Sequence, residues 1–149
     1  MIVYIACPSA ELERARRAMD AVRASGLEVA HDWVAQIDAI PGDPNRDIPP
    51  GPARALSLTA FRHLKRAGML WLLFPEAETI GTWIETGGWL MASMQLAGAR
   101  FIVSGGDVRR SIFLNGNAFR VFETDDDAIA WLQAPGSEGA WLRSATRPA

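Results

Sequence analysis

The chain has 149 residues, 49% hydrophobic and 21% charged, enough for one domain with its own core. A net charge of -2 with no basic cluster excludes the counterion-releasing footprint of a nucleic-acid binder. No apolar stretch is long enough to span a bilayer, and a single cysteine, Cys7, excludes an internal disulfide.

Met1 to Cys7 is apolar and β-branched without alternation, the pattern of a strand buried on both faces. It is too short for a secretory h-region and lacks the charged flank. With the lone thiol, that leads us to expect a cytoplasmic protein. Pro8 and Ser9 end the run. Ser9 is expected to cap the next helix, with Glu11 and Glu13 at its positive end. Leu12, Ala15, Met19 and Val22 form the apolar stripe of that helix, and Gly26 is its expected C′ residue.

Leu27 to Trp33 reads as a second strand, more polar and so nearer an edge. Pro41 to Pro52 is a long loop rich in Pro, Gly, Asp and Asn, the type that forms a lid or stays partly disordered. Ala53 to Ala67 returns to helical spacing, with Leu56, Ala60, Phe61 and Leu64 inward, and Gly68 stops it.

Met69 to Phe74 is a central strand. Pro75 to Gly81 is a loop, and Thr82 to Ala97 a helix apolar on most sides, expected to be largely buried. Arg100 to Val103 is a fourth strand, followed by a turn from Ser104 to Asp107. Phe119 to Phe122 is a short fifth strand, and Asp125, Asp126 and Asp127 open a helix through Leu132. The chain thus divides into a domain over 1–134 and a patternless tail over 135–149, with no internal repeat.

Alternating strands and helices imply parallel pairing through right-handed crossovers. The expected fold is α/β: a flavodoxin-like three-layer sandwich around a five-stranded parallel sheet of order 2-1-3-4-5. Ligands in such sheets bind outside the carboxyl ends of the strands. The ends of the first, third and fourth strands are expected to line one crevice.

Several strong motifs are absent. The chain has no phosphate loop, no G-x-G-x-x-G and no C-x-x-C. Its two histidines, His31 and His63, are too few for a transition-metal site, and neither metal nor organic cofactor is expected. Cys7 stands between strand and helix as in Cys-based phosphatases, yet Glu13 occupies the position of their essential arginine. A small buried thiol is the simpler role.

Glu85 is the reactive group most plainly placed, about one turn inside a helix and just past a buried strand. Thr82-x-x-Glu85 fits a capping box, which alone accounts for both residues. The same position also keeps a carboxylate ionised at the positive end of a helix. Such a carboxylate in a crevice can attack a sugar's anomeric carbon, as in retaining glycosidases. Neighbouring glycines, among them Gly81, permit close backbone approach to a ligand.

Two motifs carry a family resemblance. Val3-Tyr4-Ile5-Ala6-Cys7-Pro8-Ser9 resembles the opening strand and loop of the nucleoside 2-deoxyribosyltransferases and their relatives, the nucleoside 5′-monophosphate N-glycosidases. Gly81-Thr82-Trp83-Ile84-Glu85-Thr86-Gly87 is similar to the G-T-x-x-E-x-G signature of that family, and the likeness runs to about residue 104. It implies that Glu85 attacks C1′ of the pentose and that Tyr4 hydrogen-bonds the carboxylate. It implies a homo-oligomer whose neighbouring subunit closes the site, and a nucleoside or nucleotide as the small-molecule partner.

The departures are informative. Thr79 stands where the transferases carry an aspartate for the sugar 5′-hydroxyl. The monophosphate-cleaving branch has a small hydroxyl residue there, so Thr79 leans toward a nucleotide. Ser9 at a helix start would donate to the same phosphate or simply cap. No aspartate lies near Ser57 to Thr59, where the family keeps one. Asp32, Asp38, Asp43 and Asp47 are then equal candidates to protonate the leaving base. Of the six tryptophans, Trp33 and Trp83 are candidates for stacking on a base, core packing being their ordinary role. Two other readings stay open: a catalytically inactive nucleotide-binding module, and an assembly protein whose exposed tryptophans form an interface.

Overall fold

The computed structural model describes residues 1–39, 50–95, 98–107 and 111–135. The chain runs β1 (Ile2–Ala6), a 3-10 turn (Ser9–Glu11), α1 (Leu12–Ala24), β2 (Glu28–Val29), α2 (Trp33–Asp38) and α3 (Pro50–Leu64). It continues with β3 (Met69–Leu73), α4 (Gly81–Ser93), β4 (Arg100–Ser104), α5 (Ile112–Asn117), β5 (Arg120–Phe122) and α6 (Asp125–Gln133). The strands form one parallel sheet of order β2-β1-β3-β4-β5, as the sequence predicts. Tyr4 pairs with Leu70, Leu70 with Phe101, and Val103 with Val121.

Side-chain alternation along the strands builds two cores. Val3, Ile5, Trp71, Leu73 and Ile102 point to one face and pack with Met19 and Val22 of α1 and Leu132 of α6. Tyr4, Ala6, Leu70, Leu72, Phe101 and Val103 point to the other, against Leu64 of α3 and Trp89 of α4. Every residue of β3 is buried, which explains its unbroken apolar run. Each large side chain so buried contributes roughly 1.5–3 kcal/mol of transfer free energy.

Gly26, at φ 74°, stands just past α1 as expected, where only a residue without Cβ turns left-handed at no cost.

Three expectations need correction, and two short helices were missed. The second strand is two residues long, not seven, because the chain leaves the edge of β1 after Ala30. The Asp32 carboxylate then accepts from Ala35 N at 3.1 Å and starts α2, a helix the sequence reading missed. Ser9 opens the 3-10 turn and does not cap α1, which begins at Leu12 with Glu11 at the cap position. α5 was also missed; the Ser111 hydroxyl caps it by accepting from Leu114 N.

Finally, α4 is not largely buried. Thr82, Thr86 and Trp89 face the sheet, while Ile80, Ile84, Met91 and Met94 are exposed. Their spacing puts these four on one outward stripe. The expected loop over 41–52 falls mostly, and the tail from 136 entirely, outside the described residues. No described helix is long and apolar enough to cross a membrane.

Candidate functional site

The order 2-1-3 reverses the direction of the crossovers at β1 and β3, and a cleft opens where their connections diverge. A cavity of about 720 Å³ lies there. That volume is ordinary for a small-molecule site. Tyr4 and the segment Cys7–Ala10 form one wall, and Glu78–Thr82 with Glu85 the opposite one. His31, Trp33 and Gln36 close it from the β2–α2 side, and Leu56, Ser57 and Ala60 of α3 form its rim. The expected contribution of β4 is absent. Ser104 at its end faces the α1 and α6 side instead, where its hydroxyl donates to Asp125 and accepts from Trp71 Nε1 at 2.9 Å.

Tyr4 and Glu85 meet across the cleft. Tyr4 is buried in β1 on the α4 face, and its hydroxyl donates to Glu85 Oε1 at 2.8 Å. Both residues line the cavity. Burial pushes the Glu85 carboxyl up to about 7, against the opposing pull of the Tyr4 hydrogen bond. Burial, with the Glu85 charge beside it, carries the Tyr4 phenol well above its ordinary value, so it stays a donor.

The expected capping box is not formed. Thr82 lies inside α4, whose cap position is Ile80, and the Thr79 hydroxyl just before it accepts from Thr82 N at 3.3 Å. Thr79 Oγ1 also donates to Thr82 Oγ1 at 3.1 Å. Glu85 is thereby released from any capping duty and faces the cavity.

Ser9, Thr79, Gly81 and Thr82 are all on the cavity wall. Ser9 and Thr79 belong to the two loops that flank the β1 and β3 ends. Trp33 is there too, its orientation fixed by donation from Nε1 to Ile5 O at 3.0 Å. Trp83 is not brought to the cavity; it is partly exposed and meets Phe74 edge-on at 5.8 Å between centroids. Asp32 and Asp38 are also elsewhere, paired with Arg23 at 2.5 Å and Arg16 at 2.8 Å. Asp43 and Asp47 lie outside the described residues. Cys7 is buried, and its thiol is pushed up to about 12, chiefly by that burial, which removes its nucleophilic form.

The sequence reading missed His31. It is only 7% exposed, it lines the cavity, and neither ring nitrogen has a hydrogen-bond partner among the described residues. Its ring stacks on His63 of α3 at 4.7 Å between centroids and 9° between planes. Burial lowers its pKa, with the nearby His63 adding to this; Gln36 favours the charged ring but stands outside hydrogen-bonding geometry. The ring lines the cavity while both of its nitrogens are buried. The signal was a histidine at the carboxyl end of a strand, hidden because the strand was drawn through to Trp33. No group of three or more metal-binding side chains occurs among the described residues.

No protein-family model and no curated protein matches the chain. Solved structures do. A 2-deoxyribosyltransferase from the psychrotolerant bacterium Bacillus psychrosaccharolyticus superposes with a TM-score of 0.63 at 15% identity, covering 87% of this chain and 90% of that one. The CMP N-glycosidase of Clostridium botulinum superposes with a TM-score of 0.55 at 13% identity, covering 90% of this chain and 100% of that one. At such identities the likeness is one of fold: this chain shares its α/β architecture with a 2-deoxyribosyltransferase and a CMP N-glycosidase.

Proposed function

We propose that the chain cleaves the N-glycosidic bond of a nucleoside or nucleoside 5′-monophosphate, as an N-glycosidase or deoxyribosyltransferase. The observation that carries this reading is the Tyr4–Glu85 hydrogen bond on the wall of the cavity. Glu85, ionised, attacks C1′ of the pentose from the face opposite the base. Tyr4 holds the other lone pairs of the carboxylate in place and keeps the attacking oxygen aimed. The C1′–N bond breaks, its electron pair leaving with the base. Gln36 faces the space where the base departs and hydrogen-bonds it; Trp33 offers a flat side. Water, or a second base, then attacks C1′ and releases Glu85.

Ser9, Thr79 and Thr82 hold the 5′ end of the substrate. Three hydroxyls at that end can donate to the oxygens of a monophosphate. The reading keeps a cytoplasmic homo-oligomer, and the exposed stripe of Ile80, Ile84, Met91 and Met94 is the surface a second copy would cover.

One observation favours a second reading, binding without turnover. Ser57 lies on the rim where a carboxylate would protonate the base, and its hydroxyl donates to Arg54 O at 3.3 Å. Incubation with a panel of nucleosides and 5′-monophosphates, read as free base by chromatography, decides between the two. Turnover that Glu85→Gln abolishes supports the enzyme. A ligand-dependent rise in Tm with no base released supports the binding module.

A further inference from the structure

Behind the cavity wall, one carboxylate joins the two loops that carry the hydroxyls. Glu11 ends the 3-10 turn that begins at Ser9, and its N–H donates to Pro8 O at 3.0 Å. Its Oε1 accepts from two consecutive backbone groups of the facing loop, Glu76 N at 2.9 Å and Ala77 N at 2.8 Å. Its Oε2 accepts from Arg14 at 2.7 Å. The side chain is 11% exposed and is not part of the cavity lining. Arg14 extends the brace by donating to Phe74 O at 2.8 Å and to Asp125. The β3–α4 loop is thus gripped at three backbone groups immediately before Thr79.

We propose that Glu11 is a positioning residue that fixes the separation of Ser9 and Thr79, and thereby the selectivity of the site for a 5′-phosphate. This rests on the proposed function. A charged acceptor shared by two N–H groups holds a loop more firmly than neutral bonds do. Its geometry reaches Ser9 through the turn and Thr79 through Ala77. It does not touch Glu85, which is set by Tyr4 and the body of α4. The 5′ end of the substrate should therefore feel its loss, and the anomeric carbon should not.

The test compares wild type, Glu11→Ala and Glu11→Gln by calorimetry with ribose 5-phosphate and 2-deoxyribose 5-phosphate, and by kinetics with matched nucleosides and 5′-monophosphates. Glu11→Ala should weaken sugar-phosphate binding and raise KM for the monophosphate about tenfold, with kcat and nucleoside KM nearly unchanged. Glu11→Gln keeps a neutral acceptor oxygen for the loop but not the charge or the pairing with Arg14, so it should recover part of that loss. Equal losses on nucleoside and monophosphate, unchanged affinity in Glu11→Ala, or wild type that binds neither sugar phosphate would overturn the proposal. Wild type that binds sugar phosphate in this Glu11-dependent way but releases no base supports the positioning role and refutes the proposed function instead.

Discussion

Two carboxylates sit near the carboxyl edge of the same sheet, and they behave in opposite ways. Asp125, on the α1 and α6 side, receives Arg14 Nε at 2.5 Å and the Ser104 hydroxyl. Burial alone would raise its pKa, but the Arg14 and Ser104 hydrogen bonds hold it below the ordinary value. Gly105, at φ 73°, completes that closed cluster, since a Cβ there would come within 2.8 Å of the Arg14 guanidinium. Glu85, on the other side, has Tyr4 as a neutral donor and open space ahead of it. Burial dominates there, and the carboxyl rises to about 7. The closed cluster spends its charge on holding α1, α6 and the sheet together. The open one keeps a carboxylate held by a single neutral donor beside a cavity, which is the condition for chemistry.

The comparison can be broken at either side. The largest effect is expected from Glu85→Gln, which should cut base release by roughly a thousandfold or more, as loss of a nucleophile does. Chromatography of the free base measures it. Asp125→Ala should leave Arg14 without its main partner and destabilise the fold by about 3 kcal/mol, read from urea denaturation.

The pH dependence sharpens the contrast. For Glu85 the folded pKa lies above the unfolded 4.5, so the folded chain holds the extra proton between about pH 4.5 and 7. Stability from this group is complete at low pH and is lost as pH rises through that window. Glu85→Gln should therefore stabilise the protein at pH 8 by up to about 3 kcal/mol and hardly at all at pH 4. Asp125 has the opposite sign: its contribution is present above 3.8 and is lost as pH falls below it. The smallest effect is expected from Tyr4→Phe. Removing the donor that lowers the Glu85 pKa should move the rising limb of the pH–rate profile up by about one pH unit.

The strand order was legible in the sequence because the central strands are apolar runs between turn residues, as Met69 to Leu73 shows; the short helices α2 and α5 were not. Glu85 and Tyr4 were legible as a pair through the two motifs that resemble a known family, and the structure brings them within a hydrogen bond. What escaped notice depended on tertiary packing. His31 looked like strand interior because β2 stops after two residues, a limit set by its partner β1. The outward stripe of α4 looked like core because composition does not say which side of a helix finds a neighbour. Thr82 looked like the cap because it is a threonine at helix-start spacing, but the helix begins one residue earlier, with Ile80 in the cap position. Glu11 looked like a dipole-complementing surface residue; the loop it braces lies 65 positions away in the chain.

The most direct measurement is mass spectrometry of the protein after incubation with a 2-deoxy-2-fluoro nucleoside 5′-monophosphate, an analogue that slows release of a glycosyl-enzyme. We expect a sugar-phosphate adduct on the peptide that contains Glu85, absent in Glu85→Gln. Base released with that peptide unmodified, or an adduct on another carboxylate, would contradict the assignment of Glu85 as the nucleophile.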